Sequence, residues 1–196
     1  MDPLTLNDVV DIAEYEALRD SFRREVMELK KHRRIAIGEF VTLVFENRET
    51  MKFQVQEMMR VERIVAEERI KEEIDTYNQL IPAQNELKAT LFIEVTEQEL
   101  IKPTLDRFQG IDHGNTTFLS IGNELIEAEF EDGRSNDIKL SAVHYVTFCL
   151  TNTQIKNIQN FETPVSLKVA HIAAEYVKES SVPMELRHQF LNDLLN

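Results

Sequence analysis

The sequence predicts an α+β fold, a mainly antiparallel sheet packed against a long central helix and shorter helices, in a single domain over residues 1–196. Three observations lead there. Apolar residues recur at helical spacing in some stretches and at every second position in others. Strand stretches come both singly between helices and in sequence as a hairpin, an order typical of antiparallel sheets with helices on one side. The chain has 42% hydrophobic and 29% charged residues and only five Pro and five Gly, enough to bury a core and too little to build a Pro- or Gly-rich linker.

The first element is a helix that Thr5 or Asn7 caps, with Val10, Ala13, Ala17, Phe22, Val26 and Leu29 as its apolar stripe up to about Lys31. The period then changes to two. Ile35, Ile37, Val41, Leu43 and Phe45 alternate through Arg34 to Glu46, which reads as one strand. Asn47 or Thr50 starts the longest helix, from about Thr50 to about Leu80, and Pro82 stops it. A strand follows from Glu86 to Val95, with Leu87, Ala89, Leu91, Ile93 and Val95 on one face. Thr96 opens a short helix through Leu105. Thr117 to Phe130 and Ile138 to Leu150 are two strands of a hairpin, joined by a turn at Glu131 to Asp137 that contains Asp132-Gly133. A short strand at Val165 to Val169 leads to a helix from about Ala173, and Pro183 begins a final helix ending near Leu195.

Charge and composition narrow the function. With 35 acidic and 22 basic side chains the net charge is −13, which repels phosphate and argues against nucleic acid or an anionic membrane as partner. One cysteine excludes a disulfide framework and a Cys-cluster metal site. No apolar run approaches the roughly 20 residues of a membrane span, and the acidic N-terminus lacks the charge pattern of a signal peptide. A cytoplasmic protein is expected. Residues 19–34 concentrate seven Lys or Arg against three acids, a stripe that fits either a solvated helix face or an acidic partner.

Two residues break the apolar pattern. On a helical wheel at ~100° per residue, Met51, Val55, Met58, Met59, Val61, Val65 and Ala66 share one arc, with Glu62 near its middle. A buried carboxylate must be paired, protonated or metal-bound, so Glu62 is either one end of a salt bridge or a ligand. His144 alternates with Leu140, Ala142, Val146, Phe148 and Leu150 and so points with the apolar side chains. It fits a neutral core histidine as well as a metal ligand. Glycine-rich phosphate loops, the zinc-protease helix motif, the EF-hand and the twin Glu-x-x-His motifs of di-iron bundles are missing.

Phe45-Glu46-Asn47-Arg48, Phe53 to Ile64, Tyr77 to Pro82, Leu87 to Glu94 and Ser141 to Phe148, taken as strings, resemble a bacterial family catalogued as a domain of unknown function of about two hundred residues. The resemblance covers nearly the whole chain. It implies genes beside rubrerythrin-like and iron–sulfur proteins, and with them an accessory role in redox or oxidative-stress metabolism and a redox protein partner.

Three functional readings stand at this point. One is an accessory or ligand-binding protein with Glu46, Arg48, Gln54, Glu57, Arg60 and Glu62 binding the ligand and Glu94 and His144 completing the lining. Another is a metal-dependent enzyme holding iron, manganese or zinc on Glu57, Glu62, Glu94 and His144, where a bound water would become acidic. The last is a structural subunit, a possible homodimer pairing through Ile70, Ile74, Tyr77 and Ile81, whose helical spacing fits intrachain packing equally.

Overall fold

The computed structural model describes residues 1–131 and 140–195. It is an α+β fold, with six helices and nine strands among those residues. The turn expected at Asp132 to Asp137 and the strand start at Ile138 lie outside the described residues.

Helix α1 spans Ile12–Lys31 and is capped by Asp11, whose side chain accepts from the Glu14 amide at 2.9 Å. Thr5 instead closes a single 3-10 turn at Leu6–Asp8. The strand expected from Arg34 to Glu46 is two, β1 (Arg34–Ile37) and β2 (Val41–Phe45), paired antiparallel. Gly38 makes the reversal possible: its φ is +71°, and a Cβ there would meet Tyr176 Oη at 2.5 Å.

The expected 50–80 helix is also two, α2 (Arg48–Glu62) and α3 (Glu67–Asn78). Asn47 caps α2 by accepting from the Thr50 amide. Arg63 ends it in the left-handed region at φ 54°. The break follows from burial. Ile64 turns inward to join Met51, Val55, Met59, Ile74, Leu80 and Ile81, while Val65 is left 78% exposed. Continuing the helix would forfeit that contact, and burying an isoleucine side chain contributes about 1.5–3 kcal/mol. Ile70 and Tyr77 pack against the same cluster within the chain.

Strand β3 (Glu86–Ile93) and helix α4 (Gln98–Arg107) lie within two or three residues of expectation. The stretch 117–130 is three strands, β4 (Thr117–Ile121), β5 (Glu124–Glu127) and β6 (Glu129–Phe130). Gly122 turns β4 into β5, and at Ala128 the chain leaves one sheet for the other. β6 then pairs antiparallel with β7 (Val143–Cys149), the expected hairpin partner. Helix α5 (Asn152–Gln159) follows, with reciprocal hydrogen bonds between Thr151 and Gln154. Thr-x-x-Gln ahead of an apolar run is the sequence signature of such a capping box. After β8 (Val165–His171), the helix expected from Ala173 is one 3-10 turn followed by strand β9 (Tyr176–Ser181), which pairs with β8 and buries Tyr176. Helix α6 (Met184–Leu195) closes the chain after Pro183.

The strands form two antiparallel sheets, ordered β1-β2-β3-β7-β6 and β5-β4-β8-β9. Leu43, Phe45, Leu91 and Phe148 of the first meet Leu119, Leu167 and Val169 of the second in the main core, with Phe190 of α6 inserted 4.4 Å from the Phe45 ring. α2 and α3 build the second apolar cluster, against which Tyr145 of β7 packs. That helical side of the first sheet carries the polar residues of interest.

Candidate functional site

Glu46 is the residue that follows β2. Its amide donates to Lys88 O at 2.8 Å, so the β2–β3 ladder continues to it and sets its side chain on the same face as Val44. That face also carries Lys88 and Thr90 of β3 and, by register, Thr147 and Tyr145 of β7. Thr90 Oγ1 donates to Glu46 Oε1 at 2.6 Å. Oε2 is buried and accepts no hydrogen bond among the described residues, on a side chain belonging to a residue only 3% exposed. Glu46 lines a cavity of about 250 Å³. Glu129, Phe130, Glu131, Tyr145 and Thr147 form one wall, and Gln79 and Leu80, beyond α3, form the other. Lys88 is the cation lining this cavity among the described residues, and it is engaged: its Nζ donates to Gln79 O at 2.7 Å and lies 3.4 Å from Glu86. Among the described residues the lining is therefore net negative.

The other residues singled out from the sequence sit in separate networks. Arg48 donates to Asp8 at 2.5 Å and to Asp2 O, which ties the N-terminal segment to α2. Glu57 accepts from Arg19 Nε and Tyr15 Oη, each at 2.7 Å, and from Arg60 at 3.3 Å. Arg60 also faces Glu16 at 3.7 Å. Gln54 is half-buried on α2, and Glu62, placed by the wheel on the apolar arc, is exposed at its end because the chain turns away one residue later. Glu94 accepts from Arg34 and from Thr42 Oγ1, each at 2.7 Å. His144 is fully buried, its Nε2 2.8 Å from Ser141 O and its Nδ1 3.8 Å from Asp112 Oδ2, with the Phe130 ring edge-on.

Glu57, Glu62, Glu94 and His144 are thus not brought together. Among the described residues no three His, Cys, Asp or Glu side chains converge as metal ligands. Cys149 is exposed, and partial desolvation of its sulfur, with Glu129 and Glu86 nearby, pushes the thiol above its ordinary value, away from the reactive thiolate.

The Arg19 hydrogen bond, aided by Tyr15 and Arg60 against partial burial, holds the Glu57 carboxyl down at about 2. Burial, then the Glu57 hydrogen bond, pushes Tyr15 in the opposite direction. A lowered carboxylate contributes its stabilisation above its unfolded value of 4.5 and loses it as pH falls towards about 2. Glu57→Gln is expected to be less stable than the parent by about 1–3 kcal/mol at pH 7, with the gap closing between pH 4.5 and 2. Urea midpoints across that range check this, and a gap that stays constant contradicts it.

Sequence reasoning reached Glu46 but missed Thr90, Lys88, Glu129, Tyr145 and Thr147. Their signal is period-2 alternation on β3 and β7, with Glu129 on β6 opposite Thr147, and it becomes spatial only once the register is known.

A family model described as "Protein of unknown function (DUF3501)" matches residues 3–194. The crystal structure of a novel protein of unknown function from Burkholderia pseudomallei K96243 is 28% identical, with a TM-score of 0.89 over 98% of this chain and 100% of that one. No curated protein matches. No helix among the described residues is long and apolar enough to cross a membrane.

Proposed function

The chain belongs to the DUF3501 family, and on that footing we propose that it is a ligand-binding protein whose site is the cleft at Glu46. The single observation that carries the reading is Glu46 Oε2, a buried carboxylate oxygen with no donor among the described residues, at the wall of a cavity. Leaving such an acceptor unsatisfied costs about 1–3 kcal/mol, and more when it is charged. A ligand that supplies the missing donor recovers that cost, so the site favours an occupant with a cationic N–H group, an amine or a guanidinium. Glu129 and Glu131 add negative potential at the wall, while Leu80 and the Tyr145 ring offer apolar contact for an alkyl stem. The volume holds roughly eight water-sized groups at ~30 Å³ each, the scale of a small diamine or alkylguanidine. Service to a redox partner is the part of the proposal that rests on the resemblance alone. The accessory reading is preferred to the metal-dependent enzyme because the carboxylates and histidine required for a metal occupy different networks.

Calorimetric titration with putrescine and agmatine tests this. Both are expected to bind the parent protein, and 1,4-butanediol is not. Glu46→Gln keeps an acceptor for Thr90 but removes the charge, and is expected to weaken binding roughly tenfold or more while the melting temperature shows it folded. Absence of amine binding to the parent, or equal binding by the variant, overturns the assignment.

A further inference from the structure

The basic stripe of residues 19–34 does not survive as one surface. Arg19 is taken by Glu57 in a partly exposed pair and Arg33 by Asp193 in a buried one. Of the other five, Arg23 and Arg24 are exposed within α1, and Lys30, Lys31 and Arg34 gather at its end. Lys30, Lys31 and Arg34 rim a cavity of about 260 Å³ floored by Met27, Val44 and Phe92. Val44 and Phe92 reach it from β2 and β3, on the face of the first sheet turned away from the main core. Lys31 and Arg34 are exposed and hold Glu28 and Glu94 at 2.5 and 2.7 Å, pairs that solvent makes weak. Lys30 has no ion-pair partner among the described residues.

We propose that this cavity is a docking site for an acidic peptide segment of a partner protein, with one large apolar side chain seated on Met27, Val44 and Phe92 and flanking carboxylates on Lys30 and Lys31. Charge complementarity carries the choice of occupant. The chain has a net charge of −13, so an acidic segment is repelled in general and attracted to this apolar-floored cationic rim, which directs it to one place. A single apolar anchor in a pocket ringed by charge is also how short segments gain most of their binding energy. A small carboxylic acid satisfies one cation and leaves the open side of the cavity in water, whereas a segment spans both lysines. This site is separate from the Glu46 cleft, and neither reading depends on the other.

The test is fluorescence anisotropy with a labelled hexapeptide in which two pairs of glutamates flank Leu-Phe. Binding is expected to weaken as salt rises and to fall roughly tenfold in a Lys30→Gln/Lys31→Gln variant. It is also expected to fall when the peptide's Leu-Phe becomes Ala-Ala. Circular dichroism verifies that the variant folds. No binding to the parent, or binding indifferent to the lysines or to the apolar pair, overturns the proposal. So does octanoate binding that depends on the lysines when the peptide does not bind, which assigns the cavity to a small acid. A dimer that the lysine variant dissolves, seen by sedimentation velocity, would assign it to a second copy and equally overturn the peptide reading.

Discussion

Replacing Arg33 by methionine is expected to destabilise the protein by about 3–5 kcal/mol at pH 7, the range for breaking a buried ion pair by removing one partner. Arg33 is fully buried. Its guanidinium donates to Phe45 O at 2.7 Å, Glu46 O at 3.1 Å and Gln189 Oε1 at 3.2 Å, and it grips both carboxylate oxygens of Asp193. The methionine would fill the space of the stem but supply no donor, and Asp193 would be left charged in a dry environment. Burial already pushes the Asp193 carboxyl above its ordinary value, with Arg33 opposing that push. Without Arg33 the carboxyl rises further and protonates more readily. The sign follows: the cost of the variant is largest where Asp193 must ionise and shrinks as pH falls through its raised value. Urea unfolding at pH 7 and pH 5 reads both effects, and Arg33→Met/Asp193→Leu is expected to recover part of the loss. A loss under 1 kcal/mol, or one independent of pH, would show that the pair contributes little. Because Arg33 also holds the Glu46 carbonyl, the variant is expected to weaken amine binding as well.

Arg187→Met carries the second large effect, a loss of about 3 kcal/mol or more from buried carbonyls left without donors. Arg187 donates to Ile158 O and Thr163 O at 2.8 Å, to Asn160 O at 2.6 Å and to Asn157 O at 3.2 Å. Three of those carbonyls belong to the end of α5 and the residue that closes it, where a helix has no intrahelical donors of its own. A cation there also opposes the helix dipole. The guanidinium lies 4.9 Å from the Phe161 ring, so the same side chain covers the following turn. Arg187→Lys keeps the charge but cannot present a fork of donors, and should recover less than half of the loss. Hydrogen exchange of the α5 amides is expected to accelerate in both variants. A lysine variant as stable as the parent would show that charge alone caps the helix.

Much of this protein was legible residue by residue. The α+β class, the alternation that made β3 and β8 strands, the stop before Pro183 and the start of α6 all follow from local pattern, because one buried face writes a period into the sequence. Family membership was legible too, in the strings around Glu46 and His144. The breaks were not. The turns at Gly38, Arg63 and Ala128 and the strand at Tyr176 depend on what a neighbouring element offers: a tyrosine over Gly38, a cluster for Ile64, a second sheet beyond Ala128. The same holds for the carboxylates. The helical wheel put Glu62 inside, yet α2 ends there and leaves it in water. Glu46, a candidate from its own stretch, is buried because Thr90, 44 residues away, crosses beside it. Arg33 meets Asp193 over a separation of 160 residues. Periodicity reports which face a residue shares with its neighbours. Whether that face meets solvent, a cavity or an opposite charge is set by chain segments far off in sequence, whose packing energy outweighs local preference.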